Sequence, residues 1–242
     1  MSQHTVMLAG ETDSLGFRRE ARALLAALVA PDEVQWIARD PTPGELFATR
    51  SGRLALRHAP SHAARHALLP QSFISLCETV LLHSAALRFA LLYRLLWRAV
   101  HEPGLLHDPL DADRVQALHM AQGVRRDMQK MKTLIDFRSI DDERGAEDLQ
   151  LAWYEPEHHI VEAIAPFFVR RLKRHRWVIL TPERSMRWDG EQLLEFGPGL
   201  RKATVPPTGV GDARWLACYR AVFSAAQPAL CRAWDRTPQD PD

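Results

Sequence analysis

Cysteine is scarce, and the three present in 242 residues, Cys77, Cys218 and Cys231, stand too far apart for a CxxC pair or a metal-ligand spacing. A disulfide scaffold and a cysteine cluster for iron and sulfur are thereby excluded, and a reducing cytoplasm is the expected setting. An excess of one charge is also missing. With 31 Lys and Arg against 30 Asp and Glu the formal net charge is +1, so affinity for nucleic acid has to come from local clusters of cations. No uninterrupted apolar run spans a bilayer. The densest stretch, 71–100, is broken by Glu78, His83, Arg88, Arg94 and Arg98, leaving less than the roughly 20 residues a span requires. The opening MSQHTVMLAGETD lacks a basic region followed by an apolar core, so no secretion signal is expected. A Gly-rich phosphate loop, a Ser-centred nucleophile elbow and an internal repeat are absent as well.

What is present is an ordinary globular balance, 46% hydrophobic and 25% charged, sufficient to bury a core. Thr5 to Ala9, Thr12 to Leu28 and Glu33 to Ala38 read as strand, helix and strand. Thr12 or Asp13 is placed to cap that helix, whose apolar stripe is Phe17, Ala21, Leu24, Leu25 and Leu28. Pro41, Pro43 and Gly44 break the chain, and Arg53 to Arg57 reads as a further strand before a boundary near Pro60 to Pro70. Residues 71–100 then read as two helices, or one bent near Ser84, ended by Pro103 and Gly104. Asp111 or Asp113 caps the next helix. After Gly123 the spacing puts Val124, Met128, Met131 and Ile135 on a buried stripe and leaves Arg125, Arg126, Lys130 and Lys132 around the remaining circumference.

The stretch Leu149 to Gly190 carries most of the chemistry. Leu149 to Tyr154 reads as a strand ended at Glu155-Pro156, because proline disfavours helical geometry in the residue before it. A helix over Pro156 to Arg174 follows, with Pro156 at its first position, Glu157 near its positive end and Arg170, Arg171, Lys173 and Arg174 at its negative end. Ile160, Val161, Ile164, Phe167, Phe168 and Leu172 form its apolar stripe, leaving His158, His159, Glu162, Arg170 and Lys173 on the other face. Trp177 to Leu180 reads as a strand. Ser185 to Trp188, Asp189-Gly190 and Glu191 to Phe196 read as a hairpin on a two-residue turn. Beyond Gly199 come a proline-rich connection, a last helix from about Asp212 to Ala226 and a disordered tail from Arg232.

AWYEPEHHI, APFFVRR, WVILTP and RWDG followed by FGPG, together with SFISL, RFALLYRLLWR, RRDMQKMK and the opening LAGETDSLGFRREARALL, resemble a bacterial domain described as a probable DNA metabolism protein. The resemblance covers almost the whole chain. It implies work on DNA, because members are often fused to a uracil-DNA glycosylase-family domain or encoded beside a radical S-adenosylmethionine (radical SAM) protein of DNA repair or modification. Gln129 stands where the family pattern commonly has histidine, and Asp136 where it has a basic residue. The segment after Phe223, SAAQPALCRAW, also departs from the family's Asn-Pro-Ala-Arg-like continuation.

Two sets of residues are candidates for function. Arg170, Arg171, Lys173, Arg174, His175 and Arg176 contain no acid, and with Arg125, Arg126, Lys130, Lys132 and Arg138 they would make a phosphate-binding face. The same cations also suit a solvated helix end complementing its own dipole. Trp153, Tyr154, Trp177 and Trp188 are candidates to stack on an exposed base, or are core. Glu155, His158, His159 and Glu162 gather carboxylates and imidazoles suited to general acid-base work near neutral pH. His158 and Glu162 have the i, i+4 spacing by which helical side chains share a metal, but no third ligand completes a zinc signature. His58, His62 and His66 repeat every four residues around Pro60 and read as a surface loop entering a helix.

The expected architecture is α+β: a small N-terminal α/β lobe (1–60), then a helical middle and a C-terminal antiparallel sheet with a packed helix (70–242). The expected function is DNA binding in repair or modification beside a uracil-DNA glycosylase-like or radical SAM partner, with no cofactor of its own. The alternatives are a standalone histidine- or metal-assisted nucleic-acid hydrolase, and a non-catalytic assembly module.

Overall fold

A computed structural model describes residues 4–39, 69–102, 104–142, 148–207 and 211–223. The strand expected at Arg53 to Arg57, the His58, His62 and His66 run and the tail from Arg232 lie outside the described residues. The fold is α+β, and the chain divides into two compact units: Met1–Lys130 with Glu157–Ile160, and Met131–Pro156 with Val161–Asp242.

In the first unit β1 (His4–Leu8) and β2 (Val34–Ala38) pair in parallel, joined through α1 (Ser14–Ala26). Parallel pairing needs a crossover, which α1 supplies. Asp13 caps α1 by accepting the Gly16 N–H at 2.8 Å. Phe17, Ala21 and Leu24 are buried, as their spacing predicts, but Leu28 is not part of the stripe. The helix closes in a Schellman turn, with Val29 N–H on Leu24 O at 3.0 Å and Leu28 N–H on Leu25 O at 3.2 Å. That turn puts Leu28 at φ 55 and in solvent. α2 (Gln71–Leu81) and α3 (Arg88–His101) are the two expected helices, separated by a turn at His83-Ser84. Phe17, Trp36, Phe89 and Tyr93 meet ring to ring in the core that these elements enclose, with centroids 4.9 to 6.4 Å apart. At its edge Arg88 is wholly buried. Its guanidinium donates to Leu81 O, Ala85 O and Glu11 O at 2.6 to 3.0 Å and pairs with the Glu11 carboxylate. A buried cation persists because all these partners offset its desolvation.

α4 (Ala112–Leu134) starts where Asp111 accepts the Arg114 N–H at 2.9 Å. It runs without a break through Gly123. Val124 and Met131 are fully buried on its inner face.

In the second unit β3 (Arg138–Ile140), β4 (Leu149–Trp153), β5 (Trp177–Leu180), β6 (Arg184–Trp188) and β7 (Leu194–Pro198) form one sheet in that order. The sheet is antiparallel except between β4 and β5, which pair in parallel. The exception follows from connectivity, since α5 (Val161–Arg171) carries the chain back to the end of the sheet where β4 began. Val161, Ile164 and Phe168 of α5 are buried, as is every residue of β5. On the hairpin, Trp188 pairs with Leu194, so the loop is Asp189 to Leu193 and not a two-residue turn. The Asp189 carboxylate accepts the Glu191, Gln192 and Leu193 N–H groups at 2.8 to 3.0 Å, and Gly190 takes φ 92. α6 (Asp212–Phe223) adds Trp215 and Val222 to the core that includes Ile140, Leu151 and Val178. Among the described residues no helix is long and apolar enough to cross a membrane.

Candidate functional site

The helix expected from Pro156 begins at Val161, and Glu155 to Ile160 are irregular. The reason lies in where their backbone donors go. The His158 N–H bonds the Asp127 carboxylate at 2.9 Å and the His159 N–H bonds Leu82 O at 2.9 Å. Those partners face the segment from α4 and from the turn after α2, and meeting them outcompetes one more helical turn. A shared helical face for His158, Glu162 and Arg170 therefore does not form, and the i, i+4 basis for a metal pair goes with it. Glu162 pairs with Arg184 of β6. Glu155 bonds Lys202 Nζ at 3.0 Å and the Trp153 indole at 3.3 Å, and the lysine hydrogen bond holds its carboxyl below the usual range.

His158 belongs instead to a cluster in the first unit. Its ring lies 4.3 Å from that of His83, centroid to centroid, with a 32° tilt. His158 Nδ1 accepts the Ser84 N–H at 3.3 Å and lies 3.0 Å from Ser84 Oγ, while His83 Nδ1 accepts the Ala85 N–H at 3.0 Å. A ring nitrogen that accepts from an amide carries no proton, so both imidazoles are neutral and protonated on Nε2. Burial lowers the pKa of each below the usual histidine value; for His83 the neighbouring His158 adds to the effect, whereas for His158 Asp127 opposes it. Asp127 itself is 1% exposed. Its Oδ1 has no hydrogen-bond partner among the described residues, and burial raises its pKa despite the amides it accepts. Gly123 explains how the rings fit: a Cβ there would lie 3.2 Å from His158 Nε2. The sequence gives no sign of His83 in this role, because it is 75 residues from His158 on an apolar helix end. Mid-helix Gly123 is the one signal that points to a close approach. Among the described residues no three His, Cys, Asp or Glu side chains are placed to hold a metal.

The predicted phosphate-binding cations divide into spent and open ones. Lys130 pairs with Glu157 at 2.6 Å, Lys132 lies 5.0 Å over Phe167, and Arg138 lies 5.0 Å over Trp215. Arg176 is drawn inward onto the buried Asp142 at 3.0 Å, and Arg220 approaches the same carboxylate at 3.4 Å. Arg125 and Arg126 on α4, and Arg170, Arg171, Lys173 and Arg174 around the end of α5, are exposed, with no ion-pair partner among the described residues. The loop bearing Lys173 and Arg174 is held at three backbone points. His175 N–H bonds Leu172 O at 3.1 Å, the Trp188 indole bonds Lys173 O at 3.1 Å, and Gln150 N–H bonds Arg176 O at 2.9 Å. Gly190 takes a positive φ beside this loop, and a Cβ there would lie 3.5 Å from Arg176 N and 3.6 Å from Arg174 O. Of the aromatic candidates Trp177 and Trp188 are buried, and half-buried Trp153 packs on the sheet core. Tyr154 is half-buried, its N–H on Leu180 O at 3.0 Å.

Fold and sites thus define an α+β protein with a desolvated histidine pair in one unit and an open, braced cationic loop in the other. The chain belongs to the family DUF4130, a domain of unknown function, whose model matches residues 86–228. No curated protein and no solved structure matches it.

Proposed function

We propose that this chain binds DNA through its cationic loop and acts in DNA repair or modification beside a uracil-DNA glycosylase-like or radical SAM protein. The observation that carries the binding is the Arg170, Arg171, Lys173 and Arg174 group, open to solvent on backbone braced at three points. Cations held in place before binding lose less freedom on meeting phosphates than cations on a loose tail. The repair setting is supported by the resemblance of AWYEPEHHI, APFFVRR and RRDMQKMK to the DNA-metabolism family. The test is fluorescence anisotropy with labelled single- and double-stranded oligonucleotides over a salt series. Four phosphate contacts give log affinity against log salt a slope of about −3 to −4. No binding to either form at low salt overturns the proposal and leaves the assembly module.

One observation favours the second reading, a histidine-assisted hydrolase: exposed Ser84 Oγ stands 3.0 Å from His158 Nδ1, within reach for a nucleophile and its base. On that reading Ser84→Ala and His158→Ala each abolish cleavage of an oligonucleotide substrate without lowering the melting temperature. Cleavage that survives both substitutions removes it.

A further inference from the structure

We propose that His83 and His158 form a proton-operated latch: Glu157–Ile160 stays docked while both imidazoles are neutral and is released when they take up protons. The hydrogen bonds that hold His158 and His159 to Ser84, Asp127 and Leu82 touch this pair or lie beside it. Ser84 N–H needs the His158 Nδ1 lone pair and Ala85 N–H needs that of His83. A proton added at either Nδ1 sets N–H against N–H and removes a hydrogen bond. The two rings are also only 4.3 Å apart, so charging both places like charges in contact away from full solvent. Once the ring of His158 leaves, its own N–H gives up Asp127 and the neighbouring His159 N–H gives up Leu82 O, since all three bonds depend on the same short backbone path.

The groups facing the pair do not cancel this. His158 is faced by Asp127 and Lys130 of α4, by Glu157 and His159 of its own segment and by His83; His83 is faced by His158, His159 and Arg88. Asp127 and Glu157 favour a charged His158, whereas Lys130, His159 and the desolvation of the ring oppose it, and opposition prevails. The docked histidines have lower pKa values than released ones, so docking is fully stable above the ordinary histidine value of about 6.5 and weakens as pH falls below it. Asp127 acts with the opposite sign. Its raised pKa penalises docking at high pH and relieves that penalty as the carboxylate protonates.

The latch is tested by amide hydrogen exchange on the intact chain at pH 7.5 and 5.5, normalised to unstructured-peptide rates at each pH. Protection of the His158 and His159 amides falls, by at most about ten-fold per imidazole that protonates on release and so at most roughly a hundred-fold for the pair. The Leu92 and Tyr93 amides of α3 keep theirs. His83→Asn retains an acceptor for the Ala85 N–H but cannot titrate, and reduces the fall to at most about ten-fold. Asp127→Asn keeps an acceptor for the His158 N–H and leaves the fall in place. Equal protection at both pH values overturns the latch, and so does loss that is shared with α3. A full fall in His83→Asn, or none in Asp127→Asn, overturns the assignment to the histidine pair.

Discussion

Glu157–Ile160, with two histidines, and Leu172–Arg176, with three cations and a histidine, are both short irregular stretches, yet they dispose of their polar groups in different ways. In the first, donors and acceptors are consumed locally: His158 N–H by Asp127, His159 N–H by Leu82, two imidazole Nδ1 atoms by amides and Lys130 by Glu157. In the second the backbone is held by Leu172 O, Trp188 and Gln150 and the Arg176 side chain by Asp142, while Lys173 and Arg174 stay open. Charge count alone does not separate these cases. What separates them is whether the neighbouring elements offer hydrogen-bond partners to the side chains or chiefly to the main chain.

The contrast is most strongly broken by discharging the open loop. Replacing Arg170, Arg171, Lys173 and Arg174 together with Ala removes about five-fold in DNA affinity per contact at 0.15 M salt, roughly 10³-fold in all. The salt slope falls almost to zero and the melting temperature is unchanged, as anisotropy and calorimetry show. A variant that loses affinity with its slope intact denies the phosphate contacts. Next in size is Asp127→Ala, which leaves the His158 N–H without its acceptor in a buried setting and costs about 1 to 3 kcal/mol by denaturant unfolding. An unchanged midpoint means that water replaces the carboxylate.

Gly123→Ala is smaller because two effects oppose. Alanine gains up to about 1 kcal/mol of helix propensity, while its methyl meets His158 Nε2 at 3.2 Å. Exchange protection of the His158 amide therefore drops while global stability moves little; protection equal to that of the parent denies that Gly123 makes room for the ring. Lys130→Ala has the least effect, since its pair with Glu157 is exposed on both sides, and its melting temperature matches the parent's.

Local signals were legible where one physical requirement acted alone. Asp13 as cap, the Phe17, Ala21 and Leu24 stripe and the fully buried Trp177 to Leu180 strand follow from spacing. Pro156 shows where two requirements met, since proline suits both a first helical position and a break, and the choice was made by Asp127 and Leu82, acceptors distant in sequence. Gly123 inside a helix signals a close approach but not whose, because the ring it admits belongs to His158, distant in sequence. The parallel β4 and β5 pairing was similarly hidden: each strand reads as a strand whichever way its neighbour runs. Of the cations, sequence marks all as charged but cannot say that Arg176 turns inward to Asp142 while Arg174 does not.

Arg88 bears on how the first unit is made. Its one guanidinium joins Glu11, Leu81 and Ala85, the farthest of them 77 positions from Arg88 along the chain. Until the loop before α1 and the turn after α2 have both arrived, this cation has no way to be sheltered, so a half-assembled unit must keep it in water and hold the site open. The guanidinium thus ties the β1, α1, β2 element to the α2, α3 pair, and the expected outcome of stopped-flow refolding is that the two form in one cooperative step, slowed by closure over this long separation.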